Sequence, residues 1–435
     1  MFLPEGWQLA RFADVVTVNP KRRSNGTTFV AMEDIDPWRR HVARWSSRAK
    51  ASGARFKNAD TLLARITPCL EQGKTALVDF LQPDEVASGS TEFMVLAAKP
   101  GITDPNWVFY AARSEPFRTE AILSMSGTSG RQRVMREAVE DYVCELPPLK
   151  EQQSIGNLLS VLDEKIEVNR RSSSTLEKLA RVLFAAWFGY LNPVQLQDQW
   201  TAEVLRDHLE VVRGLSYTGA GLANEGAALH NLDSIYEGGG YKYGGIKHYQ
   251  GEFKERHIVR PGDVIVANLD FGVGAQTLYD LGVAKMRIAR NDPIEQSFNQ
   301  IVIGCPAIVP RRFGDLSLFS ADLFRIRAKP GSPLTSRFIY LMLISPRLRQ
   351  VIVGYSNGTS INHLPVDALH RPRFALPPTE TIRRFDELVS PMFARQEQLQ
   401  LESETLTQLR DHLLPRLMSG EIRLKEAAKA AAEAV

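Results

Sequence analysis

The chain has 435 residues, with 53 Lys plus Arg against 50 Asp plus Glu, 44% hydrophobic and 24% charged residues. At roughly 150 residues per domain this is about three domains' worth of chain, and its ordinary globular composition excludes wholesale disorder and fibrous repeats. A net charge of +3 exerts no global pull on nucleic acid or membrane, so polyanion binding must come from local clustering.

Three unpaired cysteines, Cys69, Cys144 and Cys305, argue against a disulfide framework or a thiolate zinc site and for a reducing cytosol. The start, MFLPEGW, lacks the pattern of a signal peptide. The densest apolar run, Val182 to Leu191, is about half of the ~20 residues a membrane span needs.

Taken in chain order, residues 1–148 read as a mixed α/β globular part. Lys21-Arg22-Arg23 precedes a stretch from Pro37 to Lys57 with seven basic residues and no acid: Arg39, Arg40, Arg44, Arg48, Lys50, Arg55 and Lys57. Trp38, Trp45 and Phe56 are interleaved. Such a stretch can neutralise phosphates and stack on sugars or bases. TLLARI, TALVDF and FMVLAA read as short buried strands, and WVFYAARS as a helix stopped by the proline after it. The loop SGTSGRQR offers Arg131 and Arg133 to base edges.

After Pro147-Pro148 the periodicity turns helical, over 149–190. Ile155, Leu162, Asn169, Leu176 and Leu183 form one seven-spaced row, and Leu159, Ile166, Ser173, Ala180 and Trp187 the other. Rows alternating by four and three are a coiled-coil seam, and its polar centre fixes register at some cost in stability.

A second mixed α/β part spans 191–376. DVIVANL, QIVIGC and LFRIRA read as strands, RFIYLMLIS as a helix, and the glycine-rich GLSYTGAGLANEGA and EGGGYKYGG as loops. Its basic patch holds Lys242 and Lys247, diluted by Glu252 and Glu255, and its loop NGTSINH offers Asn362 and His363. A second long helix is expected over 377–420, with Phe385, Met392, Leu399, Leu406 and Leu413 in one row and a kink at Pro391. The last residues, 421–435, have helix propensity but no second face to bury, and an exposed tail is expected.

The two halves are copies. Lys99-Pro100-Gly101 recurs as Lys329-Pro330-Gly331, Val108-Phe109-Tyr110 as Phe338-Ile339-Tyr340, and Leu146-Pro147-Pro148 as Leu376-Pro377-Pro378, all at a spacing of 230. Asp60 pairs with Asp263 at 203, so the second copy carries an insertion between these anchors. Matched long helices, neither able to bury its seam alone, predict an antiparallel pair under a pseudo-twofold.

Catalytic motifs are missing from the sequence. There is no GxxxxGK[ST] loop, HExxH pair or GxSxG elbow. Asp270-Phe271-Gly272-Val273-Gly274 is faintly like the glycine-rich loop of an S-adenosylmethionine-dependent methyltransferase, but no Asn-Pro-Pro-aromatic partner accompanies it. No catalytic or metal residue is assigned.

Several segments together resemble the specificity (S) subunit of Type I restriction–modification systems. They are PPLKEQQSIGNLLSVLDEKIE, its degenerate copy PPTETIRRFDELVSP, LLPRLMSGEI, the GTS before each helix and EGWQLARFADVV. The resemblance implies two target-recognition domains joined by two long antiparallel coiled-coil helices, each domain reading one half of a split double-stranded DNA site. It implies that the helices dock two methyltransferase (M) subunits and that restriction (R) subunits can join. S-adenosylmethionine, ATP and magnesium would be used by those partners, not by this chain, in a prokaryotic cytoplasm. The partner-facing and coiled-coil residues would be Lys150, Glu151, Gln152, Ile155, Leu162, Asn169, Leu176 and Leu183, with Phe385, Met392, Leu399, Leu406 and Leu413. The second helix has Thr379-Glu380-Thr381 where the first has Lys150-Glu151-Gln152, so the two contacts would be unequal. The alternatives are a stand-alone methyltransferase or nuclease, and a coiled-coil scaffold without DNA binding.

Overall fold

The structure is a computed structural model. It describes residues 3–49, 52–128, 130–189, 191–270, 302–357, 362–424, 426, 427 and 429. The chain divides into two compact units, Met1–Arg171 with Leu399–Val435, and Ser172–Gln398.

In the first unit an antiparallel sheet runs in the order Val16–Val18, Phe93–Ala98, Asp60–Ala64, Thr75–Leu77. These strands are the apolar runs read from sequence, and Asp60–Ala64 is buried throughout. A second sheet runs Ser46–Ser47, Thr28–Val30, Ala87–Gly89, Ala54–Phe56, with Thr28–Val30 parallel to Ala87–Gly89.

The second unit repeats this topology. Its antiparallel sheet runs Leu209–Arg213, Leu323–Ala328, Val264–Ala267, Pro306–Ile308. Its other sheet again contains one parallel pair, Ala227–His230 with Ser317–Phe319. Of the strand expected over QIVIGC, residues 300 and 301 lie outside the described residues; Ile303 and Gly304 make a turn in which Gly304 has φ +72°, and a strand follows at Pro306–Ile308. The insertion falls between Val264–Ala267 and Pro306–Ile308. Residues 271–274 of the Asp270–Gly274 loop lie outside the described residues.

The repeated loops also match. Ile66 and Ser126 both bridge to Arg133, as Leu269 and Asn357 both pair with His363. The recurring lysine does one job twice: Lys99 Nζ donates to the carbonyls of Ala13 and Asp14, and Lys329 Nζ to that of Arg206. Each thereby satisfies carbonyls left open in a four-residue helix.

Each long helix has 40 residues, Leu149–Phe188 and Thr379–Met418, or ~60 Å. Each begins in one unit and ends in the other. Within the first unit Asp163 meets Arg410 and Lys165 meets Glu402. Within the second, Glu177 meets Gln396 and Phe188 packs on Phe385. Numbers rise on one helix as they fall on the other, so the pair is antiparallel. The second helix runs through Pro391, which is exposed. The missing N–H there leaves a carbonyl on the solvent side of the helix.

The seam holds as expected through Ile155, Leu159, Leu162, Ile166 and Asn169, all at most 3% exposed. Beyond Ser173 it departs from the expected rows. Ala180 is buried as expected, but Leu176 and Leu183 are half-buried and Trp187 is 38% exposed, whereas Phe184 and Phe188 are buried. An α-helix drifts ~20° per heptad against a strict seven-residue repeat. The drift here brings Phe184 and Phe188 into the seam, where they meet both Phe385 of the partner helix and Phe338 of the second globular part. Leu406, fully buried between the first unit's helices, tests the seam. Leu406→Ala is expected to cost ~2–5 kcal/mol, measured as a shift in the denaturant midpoint.

Part of the segment expected as an exposed tail is packed, while residues 425, 428 and 430–435 lie outside the described residues. Ile422 and Leu424 pack on the cluster of Trp7, Leu159 and Leu413, and Ala427 is buried there. Arg423 lies 4.0 Å from Glu151. Gly420, at φ +67°, runs so close to Pro4 that a Cβ would sit 2.4 Å from its ring.

Candidate nucleic-acid interface

The basic stretch of the first unit divides in two. Its first part faces inward. Arg39 donates to both Glu167 oxygens, at 2.8 and 2.7 Å, and to Asp36 at 2.6 Å. Arg40 is buried, bonds Asn106 at 2.7 Å and lies 3.8 Å from Glu164. His41 pairs with Asp79 and faces Glu164. The acid missing from the stretch is supplied by the first long helix, and this side of the basic run holds the globular part to that helix. Burial works against ionised Glu167, but the bonds from Arg39 and Arg171 outweigh it and hold the carboxyl below its usual range. Arg39 and Arg40, expected at DNA, thus have their guanidiniums turned to the protein interior.

The second part faces out. Arg44 is 61% exposed, with Asp34, Asp36 and the Glu33 carbonyl near it. Arg48 is exposed and lies 3.8 Å over the Phe29 ring. Trp45, 54% exposed, stacks on Phe80 at 4.3 Å. Lys50 lies outside the described residues. Lys21 and Arg23 are exposed, while Arg22 pairs with the buried Asp60. In the repeated loop Arg131 is exposed, and Arg133 makes a forked pair with Glu92 at 2.6–3.0 Å.

In the second unit Lys242 and Lys247 are exposed, and each ammonium lies 5.9 Å over a tyrosine ring, Tyr236 and Tyr217. Those tyrosines were not singled out from sequence, because neither stands next to its lysine in the chain: Tyr236 is six residues from Lys242 and Tyr217 thirty from Lys247. His363 is exposed. Asn362 is fully buried in a strand paired with Leu269–Asp270, which takes it away from any base edge.

Of the first helix's opening residues, Lys150 is exposed. Glu151 accepts from Trp7 Nε1 at 3.0 Å. Gln152 is 1% exposed and bonded to Asp104 N, Ile102 O and Pro147 O. Gln152 therefore ties the helix to its own globular part and is not open to a partner.

The hydrogen bond to Asp79 raises His41 above the ordinary imidazole value, despite burial and with help from the charges of Asp79 and Glu164. A raised folded value gives stability that is full below about pH 6.5 and lost as pH rises through the folded value. The melting-temperature advantage of wild type over His41→Asn is accordingly expected to shrink between pH 6 and pH 9.

Among the described residues no group of three or more His, Cys, Asp or Glu is placed to hold a metal ion. No described helix is long and apolar enough to cross a membrane.

Each unit thus carries the same sheet topology with exposed basic residues beside aromatic rings, and each holds parts of both long helices. Residues 4–178 match the model of the Type I restriction modification DNA specificity domain. That match covers less than half of the chain, and the chain is similar to specificity subunits of Type I restriction–modification systems. It is 23% identical over 341 residues to the MjaIX specificity subunit of Methanocaldococcus jannaschii, covering 77% of this chain and 72% of that one. It is 24% identical over 413 residues to the HindI specificity subunit of Haemophilus influenzae, covering 84% and 87%. The fold is similar to the Type I S subunit of M. genitalium, with a TM-score of 0.52 at 15% identity over 96% of this chain and 98% of that one.

Proposed function

We propose that each globular domain reads one half of a bipartite DNA sequence and that the paired helices set the gap between the halves and dock methyltransferase subunits. The observation that carries this is the repetition of one sheet topology in both units, each with its own exposed cations beside aromatic rings. Divergent loops on a shared frame are what two independent half-site readers require. Phosphate contacts from Lys21, Arg23, Arg44, Arg48, Lys242 and Lys247 would position the duplex. Arg131, Arg133 and His363, on matching loops, are the candidates for base edges.

On this reading the chain has no catalytic step of its own. Methyl transfer to adenine, with S-adenosylmethionine, belongs to the docked subunits. ATP- and magnesium-dependent cleavage belongs to restriction subunits where they join. Co-expression with the methyltransferase subunits followed by mapping of modified adenines tests it. A split motif with one fixed gap is expected, and exchanging residues 1–148 for those of a relative should change one half only. Unmodified DNA, or a change in both halves, defeats the reading. Binding of S-adenosylmethionine by the purified chain alone would favour a stand-alone enzyme.

A further inference from the structure

In the first unit one carboxylate joins three helices. Asp163 of the first long helix accepts from Tyr110 Oη at 2.7 Å and from Arg410 Nη1 of the second long helix at 2.5 Å. Arg113 Nη1 approaches it at 3.6 Å. Tyr110 and Arg113 both lie on the domain helix Pro105–Arg113. All four residues are at most 5% exposed. Burial disfavours ionised Asp163, but the two guanidiniums and the phenol outweigh it and hold the carboxyl below its ordinary range.

We propose that Asp163, with Tyr110, Arg113 and Arg410, locks the orientation of the first recognition domain on the spacer and thereby restricts the gap accepted between half-sites. Buried ion pairs are a poor source of stability, because apolar residues of the same volume serve as well or better. What they supply is direction. A leucine seam tolerates small rotations, whereas a carboxylate shared between a phenol and two guanidiniums is satisfied in one arrangement only. One base pair more or less displaces a half-site by about 3.4 Å and turns it by about 35°. A domain free to rotate on its helix could follow such a change; a locked one could not.

The second unit solves the same problem with other residues. Tyr340, the repeat counterpart of Tyr110, donates to Glu177 of the first long helix at 2.5 Å. Arg181 and Gln396 hold that carboxylate from both helices. The position that mirrors Asp163 is Phe393, which meets the Tyr340 ring edge-on. The phenol–carboxylate bond thus recurs while its supporting residues differ, as expected if the bond itself is what matters.

The lock rests on the bipartite reading above, and its test separates the two. Two variants are co-expressed with the methyltransferase subunits and modified adenines are mapped: Asp163→Asn, and the apolar D163L/R113M/R410M. The second keeps the volume filled and guards against a variant that merely fails to fold, with melting curves as a check. Both half-site sequences are expected to survive unchanged. Sites with a gap one base pair shorter or longer should rise at least tenfold above wild type. A single unchanged gap in folded variants overturns the lock and leaves the reading standing. A wild-type protein that marks no split motif overturns both.

Discussion

R44E/R48E protein is expected to bind its DNA target at least ~10-fold more weakly at ~0.15 M salt, with the slope of log K against log salt reduced by about two. Both side chains are exposed, and Arg44's carboxylate neighbours lie at 3.4 and 3.9 Å on an open surface, where ion pairs contribute little. The melting temperature should therefore stay near wild type. The methylated motif should also stay the same, since phosphate contacts position the protein without reading sequence. R39E/R40E should behave in the opposite way. Those changes set carboxylates against Glu164 and Glu167 and damage the unit before they touch DNA binding. Titrations by fluorescence anisotropy at several salt concentrations, paired with thermal melts, distinguish the two. Unchanged affinity and slope in R44E/R48E would remove the outward half of the basic stretch from the DNA-facing surface.

Phe385→Ala should be among the most damaging single substitutions in the second unit, costing ~3–5 kcal/mol. Phe385 is fully buried, with ring centroids of Phe188, Phe184 and Trp187 at 4.8, 5.7 and 5.7 Å. It joins the two helices to Phe338 through Phe184 and Phe188, so its loss opens a cavity that rigid rings cannot close. The melting transition should fall by on the order of 10 °C. Trp187→Ala should cost less than half as much, because Trp187 is 38% exposed. A larger loss for Trp187 than for Phe385 would place the seam on the strict seven-residue rows after all.

That contrast marks where sequence reading succeeded and where it stopped. The duplication, both long helices and their polar centres were legible because they are periodic, and periodicity is local. Arg39 and Arg40 were misplaced because their counter-charges, Glu164 and Glu167, stand more than 120 residues away. Distance in sequence hides a partner that folding makes adjacent. Gln152 was placed among the partner-facing and coiled-coil residues by resemblance, whereas its three bonds go to backbone groups of Ile102, Asp104 and Pro147, which carry no signature in the side-chain pattern. Trp187 was assigned to the seam by a count of sevens, and a helical period of 3.6 moved Phe188 into its place. Asn362 looked like a base reader in a polar loop, but a strand pairing with Asp270 buried it.

The shared helices also decide the order in which the molecule can be completed. The first unit needs Leu406, Leu413 and Leu417 from near the end of the chain to cover Ile155, Leu159 and Leu162. During synthesis its first 171 residues emerge with that apolar row uncovered, and it stays so until the residues beyond 398 have followed. The second unit draws on Ser172–Gln398, a single continuous segment, and can close earlier. The domain translated first is thus the one finished last, and its closure depends on contacts of high sequence separation, which form slowly. An uncovered helix face held open for that long is a target for aggregation or a chaperone. Ribosome-bound chains halted before residue 399 should accordingly expose the first helix to proteases that the released protein resists.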